Sequence, residues 1–526
     1  MCSQSIALLF AGLFLFIASV LCSAETGAVR VLYVNNEIGN DLYDGLASEI
    51  AKGTSGKGPF ASLQKAFSSV AMSDQICVAN TGKPYPGGNL LTKAGGTAEC
   101  PMVIDGHGAV ISGLGIVPAK NWKNLQNDIY ETDFWPMSNY LKGYGGINHW
   151  IGSPQIWWLD GKPAPNCKSE AELKETPCGF FWNKKIKKLW IHLPDGKTID
   201  KVEVKIPVYG TAIDITRDFV VVKNFHSIFS WNDGFDAHGA GKNIVFKNCI
   251  ATDNCGQGFS CHDTTSVLYE DCLAERCASS GSCDVNFCTT IYRRCVFVNN
   301  TFEVGVYATE HSQHLYESCL ILGNMPFEQI WQRDFSKMNF INCVISGAQN
   351  NTNGAVLLEK GALFFLQCTF ANLPSICKIG CEGSLQMKNC IVIGCKNFIF
   401  SISSSDFSPI KFCSDYNVYW NSSGIVFNGN QFNSGNWREF VTVTTNDAHS
   451  LWIDPQLDGL LKVELPAFSP LHKMGQLYGA PVRIGAQLPW LVLELYSQTR
   501  SQYPLSDGTF QGKPCVVAPS HGKVSK

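Results

Sequence analysis

Two histidines, a carboxylate, a phenol, an indole and a guanidinium recur in the middle of this chain at a spacing that puts them on one surface. The segments GFDAH, GFSCH, GSCDV and GVYAT open on Gly234, Gly258, Gly281 and Gly305, and QIWQR (Gln329 to Arg333) follows in the same frame. Residues of a strand alternate sides. Phe235, Phe259, Val306 and Ile330 are apolar and point inward with their i+2 partners, so Asp284 faces inward as well. The outward set is then Asp236, His238, Ser260, His262, Tyr307, Trp331 and Arg333, with Asp233, Asp263 and Glu310 at the strand ends. An imidazole serves as a general base or acid near neutral pH. Arginine pairs with a carboxylate, and indole or phenol rings stack on sugar faces. A single outward histidine is commonly just solvated; neighbours of complementary chemistry on the same face argue for more here.

Such a face needs strands stacked in register. Between residues 225 and 413 the sequence repeats every 22 to 25 residues, as FKNCIA, YEDCLA, YRRCVF, YESCLI, FINCVI, FLQCTF and MKNCIV. The cysteines are Cys249, Cys272, Cys295, Cys319, Cys343, Cys368 and Cys390, with Phe225 before them and Cys413 as a candidate after. A fixed period of this length marks a solenoid. Each repeat has short alternating runs broken by Asn, Gly and Asp and no helical stretch of ten residues. The fold class is therefore all-β, a single-stranded parallel β-helix with three short strands per coil. Asn248, Asn342 and Asn389 before the cysteine suit a left-handed corner, and Asn254, Asn300 and Asn324 mark a second. The cysteine column reads as scaffold: one small apolar side chain per coil, reduced or mostly reduced, although neighbours about 4.8 Å apart lie within disulfide reach.

The opening YVNNEIGNDLYDGL with GPFASLQKAF, the first coils in GTAECPMVIDGHGAVISG, and the closing DYNVYW with DPQL, SPLHKMG and IGA resemble the pectin-lyase-like β-helix superfamily. The resemblance implies a right-handed helix. It implies an N-terminal capping helix entered at Pro59-Phe60, with Ala61, Leu63, Ala66, Phe67 and Val70 as its apolar stripe. It also implies that substrate binds on the sheet carrying the histidines, walled by the loops before each opening glycine. Activity does not follow from it, because the superfamily holds lyases, hydrolases, epimerases and non-catalytic surface proteins. Asp41 and Asp44 read as structural loop residues, calcium-binding at most.

The remaining organisation follows in order. Residues 1–24 read as a signal peptide: Ile6 to Leu21 is apolar, and Cys22-Ser23-Ala24 places cleavage after Ala24. The expected localisation is secreted, or periplasmic in a Gram-negative cell. Residues 25–120 form the cap and first coils, 121–208 an inserted β module, 209–420 the core, 421–490 the last coils and cap, and 491–526 a C-terminal tail, polar from about Ser497 onward. The insert contains the hairpin FFWNKKIKKLWIHLPDGK and a strand and turn in IWWLDGKP, with Trp157, Trp158, Trp182 and Trp190 as local core; Cys167 and Cys178 are its disulfide candidates. Net charge is −3 with no basic block, which disfavours nucleic acid and anionic membranes as partners. No later stretch reaches the roughly 18 apolar residues of a membrane span. The chain has 23 cysteines.

Three functions compete. A polysaccharide lyase acting on a uronate glycan would use His238 or His262 as base, Tyr307 as proton donor and Arg333 as the enolate-stabilising cation, or a Ca²⁺ held by Asp233, Asp236 or Asp263 in place of the arginine. A glycoside hydrolase would use Asp233 and Asp236 with Asp263, without the compact triple aspartate of polygalacturonases. A non-catalytic envelope or adhesion protein would only bind glycan on this face, without turnover; Trp331, Asp233, Asp263 and Glu310 are the substrate-binding candidates. A zinc ion on the two histidines would need a third ligand from Asp236 or Asp263, and no metal is assigned. The expected partner is an extracellular polysaccharide and the expected state a monomer.

Overall fold

The computed structural model describes residues 29–502, apart from 54, 127, 133–157, 160–161, 184, 187, 195, 301–303, 325–327, 348–354, 359, 379–382, 403–411, 458–464 and 478. The leader-like segment and Trp157 lie outside these residues, as does the side chain of Trp158. No helix among the described residues is long and apolar enough to cross a membrane.

The N-terminal end is closed by a short helix, Leu63–Ser69, which buries Leu63, Ala66 and Phe67. The Ser62 hydroxyl caps it by accepting from the Lys65 amide. Asp41 fixes the cap in turn, accepting from the Ala61 and Ser62 amides and from the Ser62 hydroxyl. Asp44 accepts from the Leu46 and Gly58 amides. Both aspartates hold the entry loop in shape, as their place in the sequence suggested.

Coils then stack in parallel register. Val245 pairs with Leu268, Leu268 with Ile291, Ile291 with Leu315, and Leu315 with Asn339. The turn ahead of the cysteine is left-handed in every coil from Asn224 to Tyr416, with φ of 51° at Asn248 and 57° at Asn342 and Asn389. Asparagine recurs there because it tolerates that backbone best after glycine. At the second corner the left-handed residues are Asp253, Arg276, Asn299 and Gly323 instead. Asn254, Asn300 and Asn324 follow them and point inward, fully buried; the Asn254 carboxamide accepts from the Ser230 amide, and that of Asn300 from the Cys277 amide.

The interior holds two columns that explain the repeat. Tyr269, Tyr292, Tyr316 and Phe340 stack ring on ring at 4.6 to 4.8 Å. Beside them Phe225 is followed by Cys249, Cys272, Cys295, Cys319, Cys343, Cys368 and Cys390, all buried and all free. Each thiol finds backbone acceptors; Cys272 Sγ lies 3.4 Å from the Phe246 carbonyl and 3.3 Å from that of Glu270. Cys413 does not extend the column. It pairs with Gln386 and is half-exposed, and Asn417 takes the next interior place, accepting from the Cys390 amide.

The insert folds as two four-stranded antiparallel sheets. Phe180–Asn183 pairs with Lys188–His192 as the expected hairpin, and Trp158–Leu159 with Lys162–Pro163. Trp182 packs in its core together with Trp231 of the coil, while Trp190 donates to Glu131 at 2.9 Å. Cys167 and Cys178 are both free, which corrects the disulfide expectation. Cys167 packs with Ile129 and Leu173, whereas Cys178, at φ 67°, turns toward the core around Trp182.

At the other end helix Trp437–Thr444 covers the last coil with Phe440 buried. Residues from the SPLHKMG and IGA segments, Leu471 and Ile484, fold back onto Ile391 and Val418. The chain does not trail off as a tail at residue 491. Helix Trp490–Gln502 lays Val492 and Leu495 against Leu273, Val296, Leu320 and Val344 on the outside of the coils. Its apolar residues run together in WLVLELY instead of recurring at helical spacing, so no amphipathic pattern stands out in the sequence.

Candidate active site on the parallel sheet

The histidine-bearing strands form one face of a twelve-stranded sheet. The strands that matter are β1 (Ile213–Ile215), β2 (Phe235–Ala237), β3 (Phe259–Cys261), β4 (Ser280–Asp284), β5 (Val304–Ala308) and β6 (Ile330–Gln332). Glycine opens the working strands because the backbones crowd there. A β-carbon on Gly258 would lie 2.4 Å from that of Ala274. Phe235 and Phe259 stack inside at 5.7 Å, and Ala237, Cys261 and Ala308 join them in the core, as alternation requires.

The outer side carries two columns. The first runs Asp214, Asp236, Ser260, Cys283, Tyr307 and Trp331, each paired with the next. The second runs His238, His262, Val285, Thr309 and Arg333, whose amides bond to Ile215, Ala237, Cys261, Asp284 and Ala308. Asp214 was not singled out in the sequence. Its strand reads Ile-Asp-Ile, one coil before Phe-Asp-Ala, and extending the alignment by one rung would have found it.

At the first rungs these columns build a compact cluster. The rings of His238 and His262 stack at 4.4 Å and 7°. The Nδ1 of His238 sits 3.2 Å from Asp214 Oδ1 and 3.3 Å from Asp236 Oδ2. Burial opposes charge on His238, but Asp236 and Asp214 outweigh it and raise its pKa to about 10. Asp236 is on the outer side yet 0 % exposed, and Asp233 is 2 % exposed. The expectation that Asp236 projects to solvent is corrected: the imidazoles lie over it. Burial, with Asp236 nearby, raises Asp233 to about 8 even though the Gln257 amide donates to it. Burial raises Asp236 to about 7.

His262 is in the opposite state. Its Nε2 lies 2.8 Å from the Ser260 hydroxyl, which is also 3.0 Å from the Cys283 carbonyl. A carbonyl only accepts, so the serine proton goes there and His262 Nε2 is the donor to serine. Burial and then the charge on His238 lower the pKa of His262. The neutral ring therefore keeps its lone pair on Nδ1. The cluster sets a protonated imidazole against a neutral one.

The other sequence candidates lie elsewhere. Tyr307 stands two rungs and Arg333 three rungs beyond His262, roughly 10 and 14 Å at strand spacing. Tyr307 is buried against Trp331 at 5.0 Å, and the Arg333 guanidinium lies over the Trp331 ring at 5.4 Å. They form a second group, too far away to act on the same atom as the histidines. Asp263 and Glu310 are exposed at the corner after the strands, at φ 57° and 61°. Asp263 accepts from the Gly239 amide and Glu310 from the Asn286 carboxamide. Asp284 is inward, as expected, and fully buried, accepting from the Tyr292 and Thr290 hydroxyls. A surface stack of Phe287, His311 and Phe335 escaped notice in the sequence; Phe287 is 62 % and Phe335 53 % exposed, and one such ring per corner was its signal.

The Ca²⁺ cradle does not fit. Asp263 faces the Gly239 amide rather than Asp233 and Asp236, which leaves too few oxygens together. Donor atoms of Asp236, His238 and His262 do lie within 4.8 Å of one another. However, the ring nitrogens facing Asp236 are the two that carry protons.

Residues 191–324, which include both histidine strands, match the family described as a right-handed β-helix region. The fold is a right-handed parallel β-helix. No curated protein matches it. Among solved structures this β-helix is similar to XylC with xylose, at 11 % identity, 81 % of this chain and 87 % of that one, TM-score 0.47. It is also similar to pectate lyase Pel9A, at 11 % identity, 89 % and 99 % coverage, TM-score 0.47. A rhamnogalacturonan lyase gives 11 % identity, 89 % and 98 % coverage, TM-score 0.40. At these values the likeness to each bears on neither substrate nor site.

Proposed function

We propose that this β-helix is a secreted polysaccharide lyase acting on a uronate-containing glycan. One observation carries the reading: His238, with Nδ1 against the Asp214 and Asp236 carboxylates, stacks 4.4 Å from His262, whose Nε2 is committed to Ser260 and whose lone pair is thereby left on Nδ1. β-Elimination needs a base for the proton beside the uronate carboxylate and a cation for the enolate that forms. His262 Nδ1 takes the proton. His238, held charged by Asp214 and Asp236, stabilises the enolate in the place first given to Arg333. The C–O bond to the leaving sugar then breaks as the C=C bond forms, and His262 returns its proton to the leaving oxygen. Tyr307, Trp331 and Arg333 become a binding subsite further along the face, where arginine pairs with a second uronate.

The hydrolase reading is weaker. It needs two carboxyl groups in reach of one glycosidic bond, and Asp233 and Asp236 are both buried. The apolar leader and small-residue cleavage site support export. The test is incubation of the mature protein with a panel of uronate polysaccharides, read by ultraviolet absorbance of unsaturated ends and by mass spectrometry. Saturated products would favour hydrolysis, binding without products would favour the non-catalytic alternative, and either result overturns the lyase.

A further inference from the structure

A second concavity lies far from the histidines, where the second corner of the last coils meets the C-terminal cap. Its volume is about 850 Å³, inside the roughly 300–1,000 Å³ usual for small-molecule sites. Trp420, Trp452, Lys396, Asn421 and Ser423 are among its lining residues. The left-handed residues Asn372, Gly394 and Asn421 form its floor along the corner, six rungs (roughly 29 Å) beyond the corner that leads into β3.

The chemistry of the wall is one-sided. Trp420 is 42 % exposed, a large ring left open beside polar groups. The Trp452 Nε1 is buried without a hydrogen-bond partner, an unusual cost for an indole N–H unless something else accepts from it. Among the described residues Lys396 has no carboxylate in ion-pair range, and the Asn421 carboxamide makes no hydrogen bond. The serines are different, since they tie the wall together. Ser422 donates to the Trp420 carbonyl, and Ser423 to that of Lys396. What remains uncommitted is an indole face, an indole N–H, an ammonium and an amide. A ligand complementary to that set has an apolar face, many acceptor oxygens and negative charge.

We infer that this cavity is a second saccharide site that takes an acidic sugar. The acidic character rests on the reading of the substrate as a uronate glycan; the saccharide character rests on the cavity alone. Asn421-Ser422-Ser423 is also an N-glycosylation sequon at the cavity wall. The sugar therefore has two sources, a free glycan chain or a glycan attached at Asn421.

The test uses full-length protein made in bacteria, without N-glycans, titrated calorimetrically with trigalacturonate and with an uncharged galactotriose. The expected isotherm has two classes of site. Trp420→Ala and Lys396→Ala each weaken one class by about tenfold or more, and leave turnover at the histidines unchanged. His262→Ala abolishes turnover and leaves that class intact. Protein from a eukaryotic secretory host tests the other source: an attached glycan found by intact mass, loss of the cavity class, and its return in Asn421→Gln assign the site to the protein's own glycan. Unchanged binding in both Trp420→Ala and Lys396→Ala overturns the inference, whatever the turnover. Equal affinity for galactotriose overturns the acidic specificity. Absence of turnover with the cavity class present sinks the lyase and leaves the cavity as a saccharide site.

Discussion

The Nδ1 of His238 lies 3.3 Å from the Oδ2 of Asp236, a carboxylate with no exposed surface of its own. A buried anion under a half-open imidazole can act on substrate only through that imidazole, and this relationship sets the behaviour of the whole face.

Replacing Asp236 by Asn removes one of the two anions that hold His238 protonated. The His238 pKa should fall from about 10, and turnover near neutral pH should drop roughly 10²-fold, within the range of acid–base contributions. Titration of the ring protons by NMR checks the first, and initial rates on a uronate polymer check the second. An unchanged His238 titration would remove Asp236 from the mechanism.

The activity should be bell-shaped in pH. His262 must be neutral, and its pKa is held below the ordinary 6.5, so activity appears on the acid side as pH rises through that lowered value. His238 must be charged, so activity is lost on the alkaline side near pH 10. The dependence of kcat/KM on pH reads both limbs, and a profile with only one limb would leave one histidine without a role.

Stability should fall as pH rises. Asp233 is raised from 3.8 to about 8, so folding binds a proton there. That contribution is complete below pH 3.8 and lost through pH 8. His238, raised from 6.5 to about 10, adds a contribution complete below pH 6.5 and lost through pH 10. Urea midpoints should be higher at pH 5 than at pH 9, and Asp233→Asn should flatten the difference.

Ser260 fixes which nitrogen of His262 is free. Ser260→Ala should leave the stacked rings in place and release the tautomer, lowering kcat by about tenfold with little change in KM. A change confined to KM would assign Ser260 to binding.

Asp284 sits in the apolar interior behind the histidines, 3.3 Å from His314. Asp284→Ala should destabilise the fold by about 1–3 kcal/mol by stranding the buried groups that hydrogen-bond to it. Denaturant unfolding measures it. A loss under about 1 kcal/mol would mean the interior network closes without the carboxylate.

Much of this was legible in the sequence. The cysteine period located each coil, and the alternation in GFDAH and GFSCH put Phe235 inside and His238 outside. The three-rung gap from His262 to Arg333 was legible as well, since counting the aligned segments GFSCH, GSCDV, GVYAT and QIWQR gives it. Alternation does not tell how deeply an outward residue is covered, so Asp236 read as solvent-facing. Nor does it tell which way an unpaired thiol turns, and Cys167 and Cys178 read as partners when their side chains enter different clusters. Cys413 failed for a related reason: Asn417, the residue directly after the left-handed Tyr416, holds the interior place that spacing alone assigned to cysteine.

The column from Cys249 to Cys390 carries a consequence for how the chain is made. Adjacent thiols stand one strand spacing apart, close enough to be cross-linked by any oxidant that reaches them. Closure of a coil walls its sulfur off from solvent. In an oxidising compartment, biogenesis is then a race between winding and oxidation, and a chain that winds slowly would be trapped with sulfurs joined across the wrong turns.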